Sequence, residues 1–268
     1  MKYMGMPWGM WALFSSSFRK QLTAVFGYGE QTSKNVARKA KAQYKEIIAR
    51  LPTFEKGDRF RMNIVNCAML GAFVLSMPQR PDVERLTDYY AEAMMTKPMQ
   101  WFCRKSGKHK YTEKDIAGMK ATAAMRSADR NPYSWNMDYF EYTDGSGYEG
   151  RFYKCGICTL MKELGLYDLT PAMCHLDYTM SEAGGVTDFV RQYTLASGGP
   201  YCDCGYKRKP KRRQIVKEYE EESTNKLQRY RHIPPARSTA CSAFAVRWIV
   251  QRDFDLNWGY AARMGRRG

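Results

Sequence analysis

The feature that most limits what this chain can fold into is a change of hydrophobic period at Asn131-Pro132. Before that point the pattern is helical. From Lys34 to Arg50 it places Val36, Ala40, Tyr44, Ile47 and Ile48 on one face, with Lys and Arg opposite. Pro52 ends this amphipathic helix, and Gly57-Asp58 opens a second one through Met77, apolar enough to be largely buried. Pro78 and Pro81 break the chain before a third helix over about 82–95. Thr112, with Asp115 three residues on, predicts a capped fourth helix reaching about residue 129.

After Pro132 the pattern becomes that of strands. MDYFEYT and YEGRFYK flank Asp144-Gly145-Ser146-Gly147, a hairpin signal. ICTLMKELG then reads as a short helix stopped by Gly165. Thr170-Pro171 starts a second helix, with Thr170 as its cap, that runs to Gly184-Gly185. TDFVRQYTLA and YCDCGYK give two more strands joined across Ser197-Gly198-Gly199-Pro200. The order strand, strand, helix, helix, strand, strand predicts an α+β fold in which a helical N-terminal region packs on a small antiparallel sheet.

The expected organisation is an N-terminal segment over 1–30, an α+β domain over 31–208 (helical to 130, sheet-containing from 131), and a basic extension over 209–268. The net charge of +16 is uneven. Residues 206–268 hold 16 Lys/Arg against 6 Asp/Glu, so the preceding body is only mildly basic. The run KRKPKRR at 207–213 binds phosphate by charge alone, without base-reading aromatics, and nucleic acid is not an expected partner. An apolar content of 44% is enough for a real core. The N-terminal YMGMPWGMWALF is broken by Gly5, Pro7 and Gly9 and lacks a small-x-small cleavage site, so no cleaved leader is expected. No segment reaches the roughly 18 to 20 uninterrupted apolar residues of a membrane span. The expectation is a cytoplasmic protein with reduced thiols and a small-molecule substrate; the sequence does not fix its oligomeric state.

Five of the eight cysteines fall between Cys155 and Cys204, at Cys155, Cys158, Cys174, Cys202 and Cys204. Three readings compete. Cys155-x2-Cys158 has a ligand spacing used for zinc and iron-sulfur clusters, although Cys174 lacks a close partner. Alternatively, Cys155 stands where a strand meets a helix N-terminus, which favours a thiolate. Cys174 would share a helical face with Asp177 and Tyr178, setting a thiol beside a carboxylate. The third reading is plain packing, since buried cysteine behaves as a small apolar residue, and Cys67 and Cys103 are read that way. Cys202 and Asp203 alternate along a strand, so only one of them can line a given pocket.

The stretch CGICTLMKELGLYDLTPAMCHLDYTM, followed by RQYTLASGGPYCDCGYKRK, resembles the core of the L-2-amino-thiazoline-4-carboxylic acid hydrolase family. The ordered features are Cys155, Lys162-Glu163-Leu164-Gly165, Leu169-Thr170-Pro171, Cys174, Asp177, Thr194-Leu195-Ala196, Gly198 or Gly199, and Cys202-Asp203. Cys204 and the tail beyond about residue 208 stand outside the resemblance. It implies a hydrolase that adds water at the ring carbon of a cyclic isothiourea and cleaves the carbon-sulfur bond, giving an N-carbamoyl amino acid. It implies a thiolate nucleophile or thiol acid among Cys155, Cys174 and Cys202, with Asp177 or Glu163 as base or as partner of the ring nitrogen. Glu163, Arg191 and His175 would bind substrate, with Arg191 holding its carboxylate. No cofactor is implied, and zinc or an iron-sulfur cluster on the cysteines stays open. The competing functions are a thiol-based metal-binding or small-molecule-binding module and a basic nucleic-acid-associated protein.

Overall fold

The computed structural model describes residues 6–55, 58, 60–125 and 131–210. Contacts group Met1–Lys209 into one compact unit. The basic extension, from residue 211 on, lies outside the described residues, as does Cys241.

Six helices precede the sheet among the described residues: α1 (Pro7–Phe26), α2 (Glu30–Arg50), α3 (Arg61–Ser76), α4 (Val83–Met94), α5 (Lys97–Gly107) and α6 (Glu113–Ala124). The expected helices correspond to α2, α3, α4 and α6. Thr112 caps α6 by accepting the Asp115 N–H at 3.3 Å. The sequence reading passed over α1 and α5. In α1, Pro7 occupies the first turn, where a missing N–H costs nothing, so it begins the helix instead of interrupting an apolar run. Its Phe14, Phe18 and Leu22 are buried in the same core as α2 and α3. In α5, Thr96 caps by accepting from Met99 N–H, and Pro98 again sits at a helix start. α3 is the central helix, with both its apolar faces buried.

The sheet follows. β1 (Asn136–Glu141) and β2 (Gly147–Lys154) form the expected hairpin, closed by the Tyr142 N–H to Gly147 C=O bond at 3.0 Å with Gly145 at φ 70. Then come α7 (Gly156–Glu163), α8 (Thr170–Cys174) and α9 (Leu176–Gly184), and finally β3 (Thr187–Val190) and β4 (Cys202–Arg208). All pairings are antiparallel, in the spatial order β1-β2-β4-β3. This is the α+β class expected from the sequence.

Two local expectations change. Thr170 does not cap its helix: the turn Tyr167–Leu169 already leads into α8, and the Thr170 hydroxyl is buried without a hydrogen-bond partner. The third strand is also short. It stops at Val190, and the chain leaves the ladder because the Asp203 carboxylate accepts the N–H groups of Gln192 at 2.7 Å and Tyr193 at 2.6 Å, giving them a partner outside the strand pairing. Arg191 is therefore the first residue beyond β3 and not part of it.

Alternation along the strands sorts their side chains. Cys202, Cys204, Tyr206, Phe152 and Phe189 join the core under the helices, while Asp203, Arg151 and Asp188 take the other face.

Candidate active site

The site begins where α3 and α7 touch. On α3, Ile64, Cys67 and Gly71 recur at helical spacing along one buried stripe. A Cβ on Gly71 would come within 2.6 Å of Leu164 Cδ1, and a Cβ on Gly156 within 3.0 Å of Ile64 Cδ1, so glycines let the two helices approach. Gly156 meets a second limit: its Cβ would lie 1.9 Å from the Tyr133 carbonyl oxygen. The N-terminus of α7 is thus seated against both α3 and the segment before β1.

Cys155 is the N-cap of that helix, with extended backbone at φ −134 and ψ 114. The Cys158 thiol beside it, the amides of Cys158 and Ile157, and the Trp135 side chain all favour a negative sulfur. They outweigh desolvation and hold the Cys155 thiol below its ordinary value. Cys158 moves the opposite way: the neighbouring Cys155 sulfur and burial push it far up.

Cys174 and Cys202 face this point. Burial, with the Cys155 charge adding to it, pushes the Cys174 thiol up to about 12. Cys202 opens β4, and its Sγ accepts the Leu195 N–H at 3.1 Å. Burial raises its pKa against the pull of that bond. Each of these thiols feels the charges of Cys155, Arg191 and Asp177. Cysteines spread along the sequence are thus brought within electrostatic reach of one another.

Arg191 runs behind them. Its side chain is 6% exposed and lies over the Phe189 ring, 4.7 Å from the centroid. Nη1 donates to the Cys174 carbonyl at 2.8 Å, and Nη2 donates to Asp177 Oδ2 at 2.5 Å and to Cys204 Sγ at 2.8 Å. Only Nε is buried without a partner. One side chain thereby ties the end of α8, the first turn of α9 and β4 together. The sequence reading put Cys174 and Asp177 on one helical turn; they are instead on α8 and α9, and Arg191 joins them.

The remaining expected residues lie elsewhere. Glu163, at the exposed end of α7, accepts the Tyr133 hydroxyl at 2.5 Å. His175 is exposed at the junction of α8 and α9, with its ring 5.4 Å from that of Tyr178. Neither contact is with a thiol, and Tyr178 in turn packs on the Phe189 ring at 4.8 Å, under Arg191. Four residues the sequence reading did not assign to the site prove to be part of its geometry: Trp135, Gly156, Asp203 and Cys204. The last was legible, since period 2 puts Cys204 on the same sheet face as Cys202.

A cavity of about 270 Å³ adjoins the cluster through Asp177, and its other walls include Lys110, Asp115, Thr187 and Tyr206. Its polar lining is internally joined: the Tyr148 hydroxyl donates to Asp115 Oδ2 at 2.6 Å and accepts from Lys110 Nζ at 2.7 Å. Among the described residues, no three His, Cys, Asp or Glu side chains are placed to hold one metal ion. No described helix is long and apolar enough to cross a membrane.

The family model for L-2-amino-thiazoline-4-carboxylic acid hydrolase matches residues 62–206, from the start of α3 to the end of the sheet and just over half of the chain. Comparison with curated proteins and with solved structures gives no match. The thiol cluster, Arg191 and Asp177 all lie within the matched span, and the chain belongs to the L-2-amino-thiazoline-4-carboxylic acid hydrolase family.

Proposed function

We propose that this hydrolase opens a small cyclic isothiourea carboxylate of the 2-aminothiazoline type, with Cys155 as its nucleophile. The observation that carries the reading is the place of Cys155 at the N-cap of α7, where its thiol is held below its ordinary value while Cys158, Cys174, Cys202 and Cys204 are held above theirs. A single charged sulfur among neutral thiols can attack without being repelled by its neighbours.

In this scheme the substrate binds as its amidinium, its protonated ring nitrogen facing the Asp177 carboxylate. The Cys155 thiolate adds to the carbon between ring sulfur and nitrogen, the ring carbon-sulfur bond breaks, and the electron pair leaves on the sulfur. The neutral Cys174 and Cys202 thiols donate hydrogen bonds toward that departing thiolate. Water then attacks the enzyme-bound isothiourea carbon and gives a proton to Asp177. The Cys155-carbon bond breaks, releasing the N-carbamoyl product and regenerating the thiolate. Arg191 holds Asp177 and the Cys174 backbone in place, and its Nε–H is the donor left for a substrate carboxylate oxygen. Glu163 and His175, paired with Tyr133 and Tyr178, have no step in this scheme.

The test is ring opening of 2-aminothiazoline-4-carboxylate, followed by free-thiol release. Cys155→Ser is expected to lower turnover by at least about 1000-fold while the protein stays folded. Iodoacetamide should label Cys155 with a pH midpoint below that of an ordinary thiol. If the Ser variant keeps turnover within tenfold of the parent, Cys155 is not the nucleophile. If neither this compound nor related cyclic amidines turn over, the substrate class is wrong.

A further inference from the structure

The first turn of α7 holds a second thiol that the hydrolytic scheme does not use. Cys155 is the N-cap of α7 and Cys158 its third helical residue, so the two thiols stand on one turn, and the Cys155 side chain is not tied down by a capping hydrogen bond. The two thiols act on each other's ionisation, Cys158 drawing Cys155 down and Cys155 driving Cys158 up. Accessibility narrows the choice further. Among the described cysteines, Cys67, Cys103, Cys202 and Cys204 are buried, and only Cys155, Cys158 and Cys174 reach solvent.

From this geometry we infer that Cys155 and Cys158 form a reversible disulfide, closed by a low-molecular-weight disulfide such as oxidised glutathione. The Cys155 thiolate attacks one glutathione sulfur, forming a mixed disulfide and releasing one glutathione thiolate. That step removes the negative sulfur which keeps Cys158 protonated. Cys158 then gives its proton to the released thiolate and attacks the Cys155 sulfur, expelling the second glutathione. Two electrons pass from the protein to the oxidant, which leaves as two reduced glutathiones. Cys174 is the alternative partner, but it belongs to a different helix and is held in place through its carbonyl by Arg191. Closing the disulfide removes the thiolate on which the proposed hydrolysis rests, so the same pair would switch that activity off.

The experiment uses the full chain, incubated over a range of oxidised-to-reduced glutathione ratios and read by intact mass and disulfide peptide mapping. The parent protein is expected to lose two hydrogens, retain no glutathione and yield a Cys155–Cys158 cross-linked peptide, all reversed by dithiothreitol. Cys158→Ser should retain one glutathione on Cys155, and Cys158→Ala should do the same if the Ser variant folds poorly. Stable glutathionylation of the parent, or a cross-link from Cys155 to Cys174, overturns the inference. Neither readout needs substrate. A disulfide without ring opening would therefore sink only the proposed reaction, and ring opening without the disulfide would sink only the switch.

Discussion

Two ion pairs stand at opposite ends of β3 and on opposite faces of the sheet. On the inner face Arg191 meets Asp177 at 2.5 Å, the arginine 6% exposed and sharing its donors with Cys174 and Cys204. On the outer face Lys209 meets Asp188 at 3.7 Å, the two side chains 33% and 53% exposed. Both are an acid and a base close to the same short strand. Burial of the arginine separates them: water screens both outer charges, whereas Arg191, unlike the 42% exposed Asp177 beside it, has no solvent to replace a lost partner. The sheet thus carries its polar chemistry on the face that hides it.

The comparison breaks first at Arg191. Arg191→Met should cost about 2–4 kcal/mol in urea unfolding, because it leaves the Cys174 carbonyl and Asp177 without their donor. A loss below about 1 kcal/mol would mean that the inner pair is no stronger than the outer one. Next comes Gly156→Ala, whose Cβ has no room beside the Tyr133 carbonyl. Thermal unfolding should show a loss of about 1–3 kcal/mol, accompanied by slower alkylation of Cys155 as the helix N-terminus shifts. Asp203→Ala sharpens the boundary between the faces. It removes both acceptors that end β3, for about 1–2 kcal/mol, and turnover should fall although Asp203 touches no thiol. The smallest effect belongs to Asp188→Ala, expected to change stability by less than about 0.5 kcal/mol and to leave turnover unaltered.

Much of this was readable in the chain, for physical reasons that differ by region. The hairpin at Asp144–Gly147 and the helix stops at Gly165 and Gly185 are local, since a glycine at positive φ terminates an element whatever lies around it. The helices α2 and α4 declare one apolar stripe each. α1 and α5 did not, because Pro7 and Pro98 resemble breakers until the tertiary core shows which side of them is helical. At the site, Cys155, Cys174, Asp177 and Cys202 could be named from residue type, spacing and family resemblance. What could not be read was their division of labour. Arg191 looked like a hand open to substrate, yet it is nearly filled by partners 13, 14 and 17 residues away, and no periodicity links those positions. Glu163 and His175 carry suitable chemistry and stand exposed at the ends of α7 and α8, beside Tyr133 and Tyr178.

The seam between α3 and α7 bears on how this protein can be inherited and engineered. Ile64 and Gly71 come from a helix more than eighty residues ahead of the helix they support, and neither surface can be completed by the sheet half alone. A fragment beginning at the hairpin would carry every candidate catalytic thiol and still lack the wall that aims the first of them. The unit that carries the chemistry therefore includes α3, which is also where the family match begins. A transplant of this chemistry onto another scaffold must bring α3 with it, together with a cover for the faces that α1 and α2 bury, where Trp11 and Phe18 pack on Phe73.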